Sequence, residues 1–193
     1  DQISDAIVTD ILKHDPKGRI AAECCIKDYD IVILGEITSS HTPDYDTLCR
    51  NVLKNIGLED LERYKIQELI SVQSPDIAMG VDHDGAGDQG MMFGYATKET
   101  KEMLPIPYVL STKALQKLRA FNLENAFSIL KPDAKAQVSY DYKENRIDTF
   151  LISSQHSESV SLSQVREIIQ KIMVETAAEM NLNTDYRILV NPT

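Results

Sequence analysis

Hydrophobic residues along the chain repeat with the spacing of helices and strands, and the same order of elements occurs twice. At the start, Ile3, Ile7 and Ile11 follow helical spacing, and the polar segment 14–18 ends the helix. The rest of the first set predicts strands at 19–26 and 31–38 that form a hairpin, a helix that ends at Gly57, and a strand at 65–72.

From residue 112 the pattern returns in the same order. It predicts a helix at 112–127, strands at 136–142 and 146–154, a helix at 162–180 and a strand at 186–190. Corresponding elements are separated by roughly 116 residues, which indicates a duplicated α-β-β-α-β unit. We therefore expect an α+β fold built from two similar units.

The composition is that of a globular protein with an acidic surface. Of the 193 residues, 42% are hydrophobic and 26% are charged, and no apolar run approaches the length of a membrane span. The 20 Lys and Arg residues against 30 Asp and Glu residues give a net charge of −10. This charge argues against duplex nucleic acid or an anionic membrane as a partner.

Three cysteines, Cys24, Cys25 and Cys49, form an odd set without C-x-x-C spacing. On a strand, Cys24 and Cys25 would lie on opposite faces. We expect structural cysteines in a reducing, cytoplasmic compartment.

Residues 73–90 contain four glycines, several acids and almost no bulky side chains, which predicts a mobile loop. The hexapeptide 85–90 matches G-x-G-x-x-G, but dinucleotide binding requires a strand before the motif and a helix opening within it, and the pattern predicts neither. A calcium-binding loop beginning at residue 82 also fails, because Ala86 and Phe93 stand where ligands are required. Two interpretations of this segment remain. It is either a glycine-rich connection between domains or a functional loop in which the Asp88 carboxylate meets a cationic amine.

Four further residues are candidates for chemistry. Glu23 interrupts one apolar strand and Glu36 ends another, and a charge there is costly unless it is paired, exposed or bound to a cation. Lys135 is expected where a proline-containing loop meets a strand, a usual place for a phosphate-binding lysine. His156 follows a predicted strand and is either a site residue or a simple turn residue.

Six segments of the chain occur together in one order. They read DQISDA at 1–6, GEIT at 35–38, QSPDI at 73–77, GAGDQGMMFGYAT at 85–97, PDAK at 132–135 and SQHS at 154–157. In this order they resemble the S-adenosylmethionine synthetase family, also called methionine adenosyltransferases. The glycine hexapeptide followed by MMFGYA is the most specific of the six.

The resemblance implies a fold of three domains around a pseudo-threefold axis, of which this chain would supply two. It also implies an enzyme that joins ATP to L-methionine, cleaves the triphosphate and hydrolyses it to phosphate and diphosphate. Two Mg²⁺ ions per site and K⁺ are the implied cofactors. The implied assembly is a homodimer or homotetramer with active sites between subunits. Since the methionine sulfur is the nucleophile, the enzyme's task is positioning and electrostatic stabilisation of the leaving triphosphate.

The resemblance also implies roles for individual residues. Glu23 matches the potassium-site carboxylate of the family. Glu36 and Gln73 match positions that contact methionine. Asp88 matches an acid near the methionine amino group, and with Lys135 it is a candidate catalytic residue.

On the nucleotide side, the resemblance implies that Asp133, Ala134 and Lys135 contact ATP, with Lys135 nearest the polyphosphate. The loop from 74 to about 84 corresponds to the family's gate over the active site, and its glycines suit a lid. The expected domains are therefore 1–73, the gating loop and hexapeptide at 74–90, and 91–193.

Some segments of the family's pattern are missing from this sequence. A His-Pro-Asp-Lys motif that carries a magnesium ligand should precede Asp1, and a third unit with a phosphate loop should follow Thr193. We expect the magnesium ligands to be absent and these 193 residues to be inactive alone. A truncated binding or regulatory subunit is the alternative function. A free nucleotide-binding module based on residues 85–90 is a third hypothesis.

Overall fold

The structure is a computed structural model that describes residues 1–81, 85–87 and 89–192. The chain divides into two compact units, Asp1–Met92 and Phe93–Thr193. Unit 1 contains helix α1 (Gln2–His14), strands β1 (Arg19–Lys27) and β2 (Asp30–Thr38), helix α2 (Tyr45–Ile56), a 3₁₀ turn (Leu61–Arg63), strand β3 (Lys65–Ser71) and helix α3 (Pro75–Val81).

Unit 2 repeats the main elements of unit 1. It contains helix α4 (Ile106–Glu124), strands β4 (Leu130–Asp141) and β5 (Arg146–His156), helix α5 (Leu162–Glu179) and strand β6 (Arg187–Val190). β5 begins 116 residues after β2, and α5 begins 117 residues after α2. The predicted duplication of an α-β-β-α-β unit is confirmed.

The two sheets have the same topology. In unit 1, β2 lies between β1, with which it is antiparallel, and β3, with which it is parallel. In unit 2, β5 lies between antiparallel β4 and parallel β6. In each unit a helix makes the crossover that a parallel third strand requires. The carboxyl ends of the central and third strands therefore meet at one edge of each sheet.

The core of unit 1 lies between the helices and one face of the sheet. Ile7 and Ile11 of α1, Leu53 of α2, and Ile31 and Ile33 of β2 are almost completely buried in one cluster. Alternate residues of β1, such as Glu23 and Cys25, are exposed, so the opposite face of the sheet is open.

Unit 2 has its own core, in which Phe150 of β5 packs with apolar residues of α4 and α5. Its third strand β6 is short, and two asparagine side chains extend its pairing with β5. Asn183 accepts from the Ile147 N–H at 2.7 Å and donates to the Ile147 carbonyl at 3.0 Å. Asn191 makes the same two bonds with Ser154, at 2.8 and 3.0 Å.

Local signals in the sequence account for the helix ends. The Asp44 carboxylate caps α2 by accepting from the Thr47 N–H at 3.1 Å, which also holds the pKa of Asp44 below its usual value. Gly57 ends α2 in the left-handed region, with φ of 97°. Ser161 and Gln164 form a reciprocal capping box at the start of α5.

The structure corrects the prediction of a loop across residues 74–84, because Pro75–Val81 forms helix α3. The Ser74 hydroxyl accepts from the Asp76 N–H at 3.3 Å, and Pro75 suits the first helical position. The pattern missed this helix because Ile77 and Met79 are exposed and form no apolar stripe. Residues 82–84 lie outside the described residues.

Two predicted boundaries in unit 2 were also wrong. Helix α4 begins at Ile106 rather than near 112, because Pro107 in its first turn is compatible with a helix start. Strand β4 begins at Leu130 rather than 136, and a register shift between Leu130 and Ala134 accommodates Pro132. Lys135 therefore lies within β4 and not at the junction of a loop and a strand.

Gly35 is required by the backbone of β2, and we expect Gly35→Ala to destabilise unit 1 severely. Its φ is 138°, and an added Cβ would lie 1.9 Å from the Ala21 carbonyl oxygen. The expected loss is about 3 kcal/mol or more in the free energy of unfolding, measured by urea denaturation.

The matched control is Gly80→Ala in α3, where an added Cβ meets nothing within 4 Å. This control should leave stability unchanged or raise it by up to about 1 kcal/mol, since alanine favours a helix over glycine. Equal denaturation midpoints for the two variants would contradict the assignment of strain to Gly35.

Two of the three thiols, those of Cys25 and Cys49, should differ sharply in reactivity. Burial, followed by the neighbouring Cys24 and Asp46, raises the pKa of Cys49 to about 11, so this buried thiol stays protonated at neutral pH. Cys25 is exposed. A colorimetric thiol reagent should modify Cys25 rapidly in the native protein and Cys49 only after unfolding. Cys25→Ser should abolish the rapid phase, and a rapid phase lost instead in Cys49→Ala would contradict this order.

Candidate functional site

In unit 1, polar side chains collect at the sheet edge where β2 and β3 both end. Glu36 pairs in register with Ser71 of β3 and with Ala21 of β1. Gln73 follows two residues after Ser71, so it extends the same edge beyond the end of β3. The fold thus brings Glu36 and Gln73, which are 37 residues apart in sequence, to one end of one sheet.

Gln73 is oriented by an arginine that the sequence analysis did not single out. Arg19, the first residue of β1, donates from Nε to Gln73 Oε1 at 3.0 Å. Since the Gln73 oxygen is the acceptor, its NH₂ group is left to donate to something else. The Thr38 hydroxyl oxygen, in register with Arg19, is buried and has no hydrogen-bond partner.

Glu36 is half-buried, and within the part of the chain that the structure describes its carboxylate has no hydrogen bond or ion pair. A carboxylate in this state can accept from a cation such as an ammonium group. Together with the NH₂ group of Gln73, the edge offers both an acceptor and a donor for a zwitterionic amino acid.

Glu23 lies on the open face of the same sheet, not in the core. Glu23 pairs in register with Leu34 of β2, and Leu34 pairs with Leu69 of β3. These two leucines are also exposed, by 38% and 54%. The cost expected for a charge in an apolar strand is therefore avoided by exposure. Glu36 lies diagonally across this face from Glu23, a separation typically of about 7–8 Å between strands.

In unit 2, two of the three predicted nucleotide residues, Asp133 and Lys135, line one open cleft of about 500 Å³, whereas the Ala134 side chain packs against the core. Asp133 and Lys135 lie on β4, and the cleft is completed by the end of β5 and by Asn191. Two of the six sequence segments, 132–135 and 154–157, therefore meet in space. His156 is the last residue of β5 rather than a residue after it, and its Nδ1 lies 2.9 Å from the Ser157 carbonyl.

The backbone of β4 is irregular where it enters this cleft. Leu130 pairs with His156 and Ala134 with Ser154, so four residues along β4 correspond to two along β5. A bulge of this kind releases backbone groups from the ladder and changes the direction of side chains. Asp133 and Lys135 are exposed on either side of Ala134, and Lys135 pairs in register with Ser153.

Asn191 is a residue of this cleft that the sequence analysis missed. Its side chain holds Ser154 through two backbone hydrogen bonds, and its own N–H donates to the Ile152 carbonyl at 3.1 Å. The signal was weak, since an asparagine before Pro192 is typical of any strand end.

The described part of the glycine-rich segment has an irregular backbone. Within residues 85–87 and 89–97 there is no helix or strand, and the last described element before them is helix α3. The strand and helix that dinucleotide binding requires are absent from these residues. Asp88 lies outside the described residues. Beyond it, Met91, Met92 and Phe93 are at least 80% exposed.

Among the described residues, neither candidate edge brings several cation ligands together. On the open face of unit 1, Glu23 offers one carboxylate, and the adjacent Leu34 and Leu69 side chains offer no oxygen ligand. Asp133 lies beside the Lys135 ammonium, which favours an anion over Mg²⁺. Within residues 1–81, 85–87 and 89–192, no cluster of three His, Cys, Asp or Glu ligands occurs at either edge.

None of the described helices has the length and hydropathy needed to cross a bilayer.

The chain is similar in sequence and fold to known S-adenosylmethionine synthases and synthetases. The curated S-adenosylmethionine synthases of Mesoplasma florum and Mycoplasma capricolum are 39% and 40% identical over 207 residues and cover the whole chain. The chain spans only 55% and 54% of their lengths. A solved structure of an S-adenosylmethionine synthetase from Campylobacter jejuni is 30% identical, with a TM-score of 0.81 over 98% of this chain and 53% of that one.

Two family models match adjacent parts of the sequence. The N-terminal domain of S-adenosylmethionine synthetase matches residues 1–75, and the central domain matches residues 83–193. The two matches account for nearly all of the chain and confirm the resemblance and the α+β fold expected from the sequence. The chain belongs to the S-adenosylmethionine synthetase family.

Proposed function

We propose that this chain supplies the N-terminal and central domains of an enzyme that forms S-adenosyl-L-methionine from ATP and L-methionine, with release of phosphate and diphosphate. The observation that carries the proposal is the match of the chain to both domains of one synthetase family. The reaction belongs to the whole enzyme, and this chain spans about half the length of the relatives that it matches.

Methionine would bind at the edge of the unit 1 sheet. The Glu36 carboxylate would accept from the methionine ammonium group, and the Gln73 amide, oriented by Arg19, would donate to the methionine carboxylate. Asp88 would lie near the same ammonium group, an assignment that rests on the sequence motif alone. Fixing both charged ends of methionine would direct its sulfur toward the reacting carbon.

ATP would bind in the cleft of unit 2. Lys135 would neutralise part of the charge on the triphosphate, which leaves as sulfur attacks the 5′ carbon of adenosine. Asp133 and the irregular backbone around Ala134 would contact the nucleotide through groups that the β4–β5 ladder does not use. Bound Mg²⁺ supplies further neutralisation of the triphosphate. Its ligands, and the partners that Glu23 needs for K⁺, would come from elsewhere in the assembly.

The assembly would be a homodimer or homotetramer with active sites between subunits. The open face of the unit 1 sheet supports this, because Leu34 and Leu69 expose apolar surface there. The three free cysteines support a cytoplasmic enzyme, since thiols persist in a reducing compartment.

Glu36→Gln should weaken methionine use. The substitution removes the charge that would meet the ammonium group while preserving size, so we expect the methionine KM to rise about tenfold or more. The measurement is initial rate in a chimera in which this chain replaces the aligned segment of the Mesoplasma florum synthase. Glu62→Gln, in the exposed 3₁₀ turn, is the control and should leave KM unchanged. An unchanged KM in Glu36→Gln would remove Glu36 from the site.

Lys135→Met should impair the reaction of the triphosphate. We expect kcat in the same chimera to fall by about 10²–10³, the usual cost of removing one group that stabilises developing charge. Lys143→Met, in the turn between β4 and β5, removes an exposed lysine from the same hairpin and should have little effect.

A chimera that binds methionine without forming product would favour a binding or regulatory subunit over the enzyme. Loss of activity in both lysine variants would indicate that the hairpin, and not Lys135, is needed.

A further inference from the structure

Three potential metal ligands converge in unit 1, where α1 ends and where the chain continues from the end of β2. Asp10 and His14 lie one turn apart near the end of α1, and His41 lies in the segment between β2 and α2. One ligand atom from each side chain lies within 4.8 Å of the others. Among the described residues, this is the one place where three such ligands meet.

The contacts between these residues are close and specific. His41 Nε2 lies 2.8 Å from Asp10 Oδ2, and the rings of His14 and His41 are stacked with centroids 4.0 Å apart. His14 Nδ1 lies 2.8 Å from the Asp10 carbonyl oxygen. When that nitrogen carries the proton, the carbonyl fixes the ring and Nε2 keeps its lone pair for a ligand.

The segment that carries His41 is held in place by a different residue. The Asp15 carboxylate accepts from the Ser40 N–H at 2.9 Å and from the Ser39 hydroxyl at 3.0 Å, and the Ser40 bond is the main reason that the pKa of Asp15 lies below its usual value. His41 is therefore presented to α1 without depending on its own bond to Asp10. The side chains of Asp10 and His41 are 33% and 28% exposed, which leaves access for an ion and its water ligands.

We propose that Asp10, His14 and His41 form a binding site for a divalent transition metal ion of the Zn²⁺ class. Two imidazoles and one carboxylate are ligands that such ions favour, whereas Mg²⁺ prefers oxygen ligands alone. In the bound form the metal takes the place of the hydrogen bond between His41 Nε2 and Asp10, and the ring proton of the neutral imidazole lies on Nδ1. The ion links the end of α1 to the segment that leads into α2, independently of the proposed enzymatic reaction.

The test is titration of the 193-residue chain with ZnCl₂ by isothermal titration calorimetry, in a Cys25→Ser background that removes the exposed thiol. We expect one Zn²⁺ per chain, a rise in melting temperature on binding, and no comparable response to MgCl₂. His14→Gln and His41→Gln should each weaken Zn²⁺ binding about tenfold or more. Asp5→Asn, an exposed acid on the same helix, is the control and should bind as the parent does.

Co²⁺ provides a second readout that a change in stability alone would not produce. Binding should give the visible absorption of Co²⁺ held by nitrogen and oxygen ligands, and both histidine variants should lose it. Circular dichroism of the metal-free variants checks that they are folded. The proposal would be overturned if the parent bound no Zn²⁺. It would also be overturned if folded His14→Gln and His41→Gln bound Zn²⁺ with the same affinity as the parent.

Discussion

The architecture of each unit depends on the burial of one sheet face beneath two helices. In unit 1, alternate residues of β2, such as Ile31 and Ile33, meet α1 and α2, and the burial of these side chains stabilises the unit. The opposite face makes no contribution to this core. It can therefore carry charges such as Glu23 and half-buried carboxylates such as Glu36 at little cost to folding. The division of the sheet into a structural face and an open face is what allows polar chemistry so close to a small core.

Local patterns predicted the elements whose side chains alternate between core and solvent. Helices α1, α2 and α5 have regular apolar spacing, and Gly57 marks an end that needs a left-handed backbone. The meeting of Glu36 and Gln73 follows from parallel pairing of β2 and β3. Helix α3 was missed because its apolar side chains face solvent. The pairing of Asp10 with His41 was also missed, since residues 31 apart in sequence meet only through the packing of α1 on the sheet.

The two units show how one topology supports different surfaces. Both have an antiparallel hairpin and a parallel third strand, and both collect polar groups where the central strand ends. At the end of β2 these groups are Glu36 and Gln73, which suit a small zwitterion. At the end of β5 they include Lys135 and backbone released by a bulge, which suit an anion. The duplication therefore conserves the scaffold, while the side chains at the strand ends determine what each copy can recognise.

Asn183 and Asn191, which bond to the backbone near the two ends of β5, have a consequence for chemical ageing. Each amide acts as a substitute strand residue, donating and accepting with one backbone partner. Deamidation would replace the donating NH₂ with a second acceptor, which would face a carbonyl and repel it. Asn191 precedes Pro192, whose nitrogen has no hydrogen and cannot begin the usual cyclisation, whereas Asn183 precedes Thr184 and has no such protection. Long-term damage would therefore loosen β5 first at Ile147, the end remote from the cleft that contains Lys135.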